Sequence, residues 1–255
     1  MAVKRAAILL AAGRGSRMGT MTANYPKCLL PVGSSVVLET LLSPLIDDTE
    51  REIVLVVGYK ADAVRSWVKN NYPGANINIV ENPSYDKDVN ILSVNIGVDS
   101  LNYPERGYTI IETDIIIEKK AWERIKLHEN REHSFWLTHN CYSQSLTGGI
   151  VHIDTATQLI DNIAYVPDYN PDYDGWHKMV GILSVSPNET IMDRKLRARA
   201  INESGCAQYY MMPWILHREN LPCIAVDISE YYADSFNVCG DYLSAQQNFL
   251  LKEKK

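Results

Sequence analysis

The chain has 255 residues with 46% hydrophobic and 22% charged side chains, the make-up of an ordinary folded globule, which excludes disordered, collagen-like and coiled-coil classes. A net charge of -6 argues against a protein that grips nucleic acid through a broad basic face and favours small-molecule partners. Five widely spaced cysteines, with no CxxC pair or histidine cluster, read as reduced thiols of a cytoplasmic protein rather than as disulfides or a zinc site.

In chain order, Lys4-Arg5 precedes the apolar run "AAILLAA", which Gly13-Arg14-Gly15-Ser16-Arg17 cuts short. The run is therefore expected to be a buried strand, not a secretory or membrane segment. "SVVLETLLSPLI", "EIVLVVG", "ADAVRSWVKNNY" and "INIVEN" then alternate helical and strand patterns, the rhythm of a mainly parallel twisted sheet covered by helices, an α/β fold. Ile91, Val94, Val98 and Leu101 share one helical face, and Asn90 stands where an N-cap would start that helix. "YTIIETDIII" reads as one further buried strand carrying Asp114.

From about Phe135 the pattern changes to alternating strands, "FWLTHN", "GGIVHID", "QLIDNIAYV" and "VGILSVS", joined by turn-rich pieces. This predicts a small antiparallel lid extension over about residues 135–215, within a single domain spanning 1–255. The charge run from Asp193 to Ala200 is expected to be a solvated helix face. His128, His133 and His139 have neither zinc nor triad spacing and read as surface or locally hydrogen-bonded residues.

The glycine loop after the first strand offers unpaired backbone N–H groups to phosphate oxygens. A dinucleotide fingerprint would need glycine where Met18 stands, and no Gly-Lys-Ser/Thr completes a P-loop. Leu10-Ala11-Ala12-Gly13, Gly15, Arg17-Met18 and Pro26-Lys27-Cys28-Leu29 instead resemble the signature of the nucleotidyltransferase (pyrophosphorylase) family, which activates sugar 1-phosphates and related phosphorylated alcohols. The resemblance implies a Rossmann-like nucleotidyltransferase fold and a reaction in which an acceptor phosphate attacks the α-phosphorus of a nucleoside triphosphate and expels pyrophosphate. It assigns Leu10, Ala11, Ala12, Gly13, Arg14, Gly15, Ser16 and Arg17 to the nucleotide, Arg17 as a forked grip on the departing phosphates, and Lys27 as a point charge between donor and acceptor.

It also implies Mg²⁺, held by Asp114 and, near the C-terminus, by Asn237 in "SFNVCGDYL", where the family more often has aspartate. Asp241 is expected at the start of the last helix, with Asp234 or Asp227 taking the metal role under a different alignment. "VVGYKADAV", "IVENPSYDKDVNILSVNIGVDSL" and "GGIVHID" with "WHKMVGILSVS" are similar to the branch that transfers CMP from CTP to phosphocholine or to 2-aminoethyl- or 2-hydroxyethylphosphonate. That branch implies no nucleic-acid or membrane partner and leaves a homo-oligomer open. The main alternatives are a sugar-1-phosphate nucleotidylyltransferase using UTP, dTTP or GTP, and a non-catalytic nucleotide binder.

Tyr85, Asn90 and Ser93 are candidates for reading the base, although Asn90 suits a helix cap equally well. The chain has 15 Tyr and 5 Trp against 3 Phe, many of them late. Trp136, Tyr165, Trp176 and Tyr210 are candidates for a cage around an ammonium-bearing acceptor, with Lys178 able to meet a phosphonate; Arg194 or His177 could serve in its place.

Overall fold

The computed structural model describes residues 5–129 and 131–253. Its strands are β1 (Ala6–Ala11), β2 (Pro31–Val32), β3 (Ser35–Val36), β4 (Ile53–Val57), β5 (Ile77–Glu81), β6 (Tyr108–Glu112), β7 (Ile115–Ile117), β8 (Ser134–Cys141), β9 (Gly148–Ile153), β10 (Ile160–Val166), β11 (His177–Val185), β12 (Cys223–Asp227) and β13 (Ala233–Ser235). The α-helices are α1 (Val37–Ile46), α2 (Ala61–Asn71), α3 (Ile91–Asp99), α4 (Ala121–Glu129), α5 (Thr190–Ser204), α6 (Met212–Leu216) and α7 (Cys239–Glu253).

β1 is apolar on both faces because helices cover both. Ala7, Leu9 and Ala11 pack into one core with Leu38 and Leu41 of α1 and Val64 of α2. Ala6 and Ile8 turn the other way, toward Ile91, Val94 and Val98 of α3. This two-residue alternation, apolar in both phases, is what a strand buried on both sides requires. At Gly97 the helix comes so near that an added Cβ would stand 2.4 Å from Ile8 Cγ2.

β1 runs parallel to β4 on one side and to β6 on the other, and β4 is parallel to β5. The chain therefore winds outward through β4 and β5 and returns through α3 to β6. That reversal makes the carboxyl ends of β1 and β6 a topological switch point, where ligands collect in open α/β sheets. β11 continues the same sheet antiparallel to β6, then diverges to pair with β8 and β9. The antiparallel extension, with β9 against β10, is thus continuous with the parallel core.

Three sequence expectations change. The expected single strand over "YTIIETDIII" is two, because the chain bends at Thr113-Asp114: Thr113 Oγ1 donates to the carbonyl of Leu10 at 2.8 Å, and β7 leaves to pair with β13. The Asp193–Ala200 face is not wholly solvated. Asp193, Leu196 and Arg197 are buried, with Asp193 accepting from Arg197, Tyr108 and Trp214. The N-terminus of α3 is satisfied by Asp88, which accepts from the N–H groups of Leu92 and Ser93 at 3.0 and 2.8 Å, while Asn90 makes no capping bond. No helix among the described residues is long and apolar enough to cross a membrane.

Candidate active site

A cleft of about 790 Å³ opens at the switch point. One wall is the loop after β1, which runs from Leu10 through Gly15 to Arg17 and Lys27. Gly15 has φ 66° and lies under Lys27, so a Cβ there would meet the lysine side chain at 3.3 Å as well as straining the backbone. The loop is tied down behind: Thr22 Oγ1 donates to the Gly15 carbonyl at 2.9 Å, and Tyr59 Oη donates to the carbonyls of Thr22 and Ala23. Gly13, Arg14, Ser16 and Arg17 are exposed and line the cleft.

The floor is the bend after β6. Lys27 Nζ donates to Asp114 Oδ2 at 2.9 Å, while Asp114 Oδ1 is buried with no hydrogen-bond partner. The backbone N–H of Phe236 donates to the Asp114 carbonyl, which brings Asn237 alongside, and Arg17 Nη2 donates to Asn237 Oδ1 at 2.8 Å. Loop, bend and C-terminal segment therefore meet as Arg17–Asn237 and Lys27–Asp114. Asp241 accepts from the N–H groups of Asn237 and Val238 at the start of α7. Among the described residues no cluster of three or more His, Cys, Asp or Glu forms a metal site; Asp114, with its unpartnered Oδ1, and the adjoining Asn237 are the side chains here that could hold a cation. Cys28, beside Lys27, is buried, which pushes its thiol up to about 12 and makes it a packing residue rather than a nucleophile.

The opposite wall comes from Tyr85, from the segment up to Ser93, and from β9, β10 and β11. Tyr85 lies against Gly58, where a Cβ would stand 2.6 Å from its own. The Asn90 side chain reaches inward, accepting from Tyr210 N at 2.8 Å and donating to Glu112 Oε1 at 3.3 Å. Ser93 lines the cleft, but its hydroxyl is engaged with Asp88 and Asn82. Trp136, Tyr165, Lys178 and Tyr210 also border the cleft.

Trp176 does not. Its ring packs on Tyr173 at 4.9 Å and His152 at 5.4 Å, in an aromatic group outside the cleft. Turn-rich sequence hid this, since the group forms only when the segment after β10 folds back on Tyr142. His177, Arg194, Asp227 and Asp234 likewise stand outside the cleft lining; Arg194 is 3.8 Å from Asp99.

Sequence reasoning missed Glu112, which lines the cleft two residues before Asp114. Burial first, then the Asp114 charge, pushes its carboxyl up to about 8, against the opposing pull of Lys178 and Lys27. In "IETD" only its place two residues before Asp114 set it apart, and its neighbours in the cleft come from distant parts of the chain. Tyr209, one of the late aromatic rings, lines the cleft as well, its hydroxyl donating to that of Tyr165 at 3.0 Å.

Comparison with known proteins fits this geometry. Residues 7–133 match the family model described as the MobA-like NTP transferase domain. Over 124 residues the chain is 35% identical to the CMP-5'-(3-aminopropyl)phosphonate synthase of Streptomyces rubellomurinus, covering 49% of this chain and 19% of that protein. Over 117 residues it is 36% identical to the 2-aminoethylphosphonate cytidylyltransferase of Lancefieldella rimae, covering 46% of this chain and 45% of that one. The chain thus aligns with less than half the length of either relative. Among solved structures, a CTP:phosphocholine cytidylyltransferase from Streptococcus pneumoniae superposes with a TM-score of 0.79 at 17% identity over 97% of this chain and 100% of that chain. A UDP-glucose pyrophosphorylase complexed with UDP-glucose gives 0.78 at 12% identity over 98% and 99%, so the likeness is one of fold. With the glycine loop, the switch-point cleft and the match over residues 7–133 in agreement, the chain carries a MobA-like NTP transferase domain over those residues.

Proposed function

We propose that the protein transfers CMP from CTP to a small phosphonate acceptor and releases pyrophosphate. The observation that carries the reading is the Lys27–Asp114 pair at the exit of an exposed glycine loop, with Arg17 held beside it. Such a loop suits a triphosphate, and the names of the two phosphonate relatives favour CTP and a phosphonate over UTP and a sugar phosphate.

In this reading a phosphonate oxygen of the acceptor attacks the α-phosphorus of CTP. A new P–O bond forms as the bond to the β-bridging oxygen breaks, and the electron pair leaves with pyrophosphate. The loop backbone from Ala11 to Ser16 and the forked guanidinium of Arg17 hold the β- and γ-phosphates, and Tyr85 with the Asn90 segment borders the base. Lys27 stands at the reacting phosphate and offsets the charge that accumulates on its oxygens, so no covalent nucleophile is required.

The donor set suits Mg²⁺: Asp114 keeps one buried oxygen without a partner, and Asn237 adds a neutral amide oxygen alongside. When bound, that ion would supply positive charge that lowers the repulsion between two anionic reactants. The test is pyrophosphate release with CTP, UTP, dTTP and GTP against small phosphonates, phosphocholine and glucose 1-phosphate, with and without chelator. Turnover is expected with CTP and a phosphonate and is lost on chelation. Activity confined to a hexose phosphate would overturn the reading.

A further inference from the structure

Beyond the phosphate-binding loop, the cleft contains a carboxyl side chain, Glu112, and an amine, Lys178, that do not pair with each other. Lys178 lies on β11 where that strand parts from β9, and its ammonium donates to the carbonyls of Met179 and Gly149 at 2.7 and 3.4 Å. Among the described residues no carboxylate lies within ion-pair distance of it, whereas Lys27 has Asp114. Glu112 receives one long bond from the Asn90 amide at 3.3 Å. Polar groups held this way in a protein interior are unfavourable unless something completes them.

The Glu112 carboxylate is also given room. Gly181 faces it, and a Cβ there would stand 2.8 Å from Glu112 Oε2 at a φ of +47°. Nearby rings are arranged for each other. Trp136 and Tyr210 are stacked with centroids 5.7 Å apart, Trp136 also meets Trp214 edge-on at 6.2 Å, and all three are buried. A quaternary ammonium is recognised by open ring faces, and these faces are covered. Tyr165 and Tyr209 present hydroxyls instead. A primary ammonium, with three N–H donors, matches a carboxylate and hydroxyls better than a closed aromatic stack.

Resting on the phosphonate-transfer reading, we propose that Glu112 and Lys178 together select a zwitterionic acceptor, an ω-amino alkylphosphonate whose acid group meets Lys178 and whose primary ammonium meets Glu112. Gly181 is the positioning residue that leaves the carboxylate its place.

The test compares wild type, Glu112→Gln and Lys178→Met, with CTP and Mg²⁺, on 2-aminoethylphosphonate, 2-hydroxyethylphosphonate and phosphocholine. Wild type is expected to favour the amine over the hydroxyl analogue by about tenfold or more in kcat/KM. Glu112→Gln should erase that preference, its loss on the amine falling on KM and exceeding its loss on the hydroxyl analogue by about tenfold, and Lys178→Met should raise KM for both phosphonates. Equal wild-type efficiency on the amine and hydroxyl analogues, a preference for phosphocholine, or an equal loss on every acceptor in Glu112→Gln would overturn the proposal. If no acceptor turns over with CTP, the transfer reading itself fails. Calorimetry then decides the selection separately: tighter binding of 2-aminoethylphosphonate than of ethylphosphonate, lost in Glu112→Gln, supports it, and equal binding sinks it.

Discussion

Lys27 is fixed from two sides. Its ammonium donates to Asp114 Oδ2 at 2.9 Å and stands 4.9 Å from the centroid of the Phe236 ring, so its position is set before any substrate arrives. Preorganised charge of this kind, aimed at the atom where charge accumulates, is worth about two to three orders of magnitude in rate. Lys27→Ala and Asp114→Asn are each expected to lower kcat for pyrophosphate release by at least about 100-fold, measured under saturating CTP. Near-normal turnover in either variant would remove that residue from the mechanism. Lys27 and Arg17 were legible in the sequence because a loop fixes their order and spacing. Glu112 was not, because its significance comes from Lys178 and Gly181, far away along the chain and near only after folding.

Helix α3 shows how an element divides its labour between two polar residues a short step apart. Asp88 holds the first turn, accepting from Leu92 N, Ser93 N and Ser93 Oγ, and its second contact with the Asn82 amide ties the turn to the end of β5. Asn90 is thereby freed to join Tyr210 to Glu112 across the cleft. Residue type could not choose between them, since Asn and Asp cap equally well; tertiary demand on Asn90 made the choice. The α/β rhythm of the first half was readable because both faces of β1 are apolar, while the break at Thr113-Asp114 was not, because it follows from a bond to a strand over a hundred residues earlier. Asp88→Ala is expected to lower unfolding free energy by about 1–2 kcal/mol, read from the urea midpoint at unchanged m. Asn90→Ala should instead act mainly on KM, and a large stability loss there with none in Asp88→Ala would reverse the assignment.

At the scale of the whole molecule, polar groups gather at both ends of β1 for opposite reasons. The carboxyl end holds the cleft, whose charges are incompletely satisfied. The amino end holds a buried network: Arg51 donates to Glu129 through both terminal nitrogens, at 2.9 and 2.6 Å, and to the Arg5 carbonyl at 2.8 Å, while Thr109 donates to the same carboxylate. Arg5 in turn donates to Ser184 of β11, so β1, β6, β11 and α4 are joined in one buried cluster. Burial pulls the Arg51 pKa down while Glu129 and then Asp48 pull it up, and the net movement is upward. Removing one partner leaves the other charged and buried, so Arg51→Ala is expected to destabilise the fold by about 3–5 kcal/mol. Arg51→Met with Glu129→Leu removes both charges of this pair at similar volume and should lose less than Arg51→Ala, the remaining cost falling on Asp48, which loses its 3.4 Å contact with Arg51, and on Arg5, which loses the Glu129 charge. Neither variant should change KM for CTP by more than about twofold, given the separation between the two ends of the strand. Urea unfolding alongside steady-state kinetics checks both halves, and a double variant as unstable as Arg51→Ala would mean that packing rather than charge holds this end of the sheet.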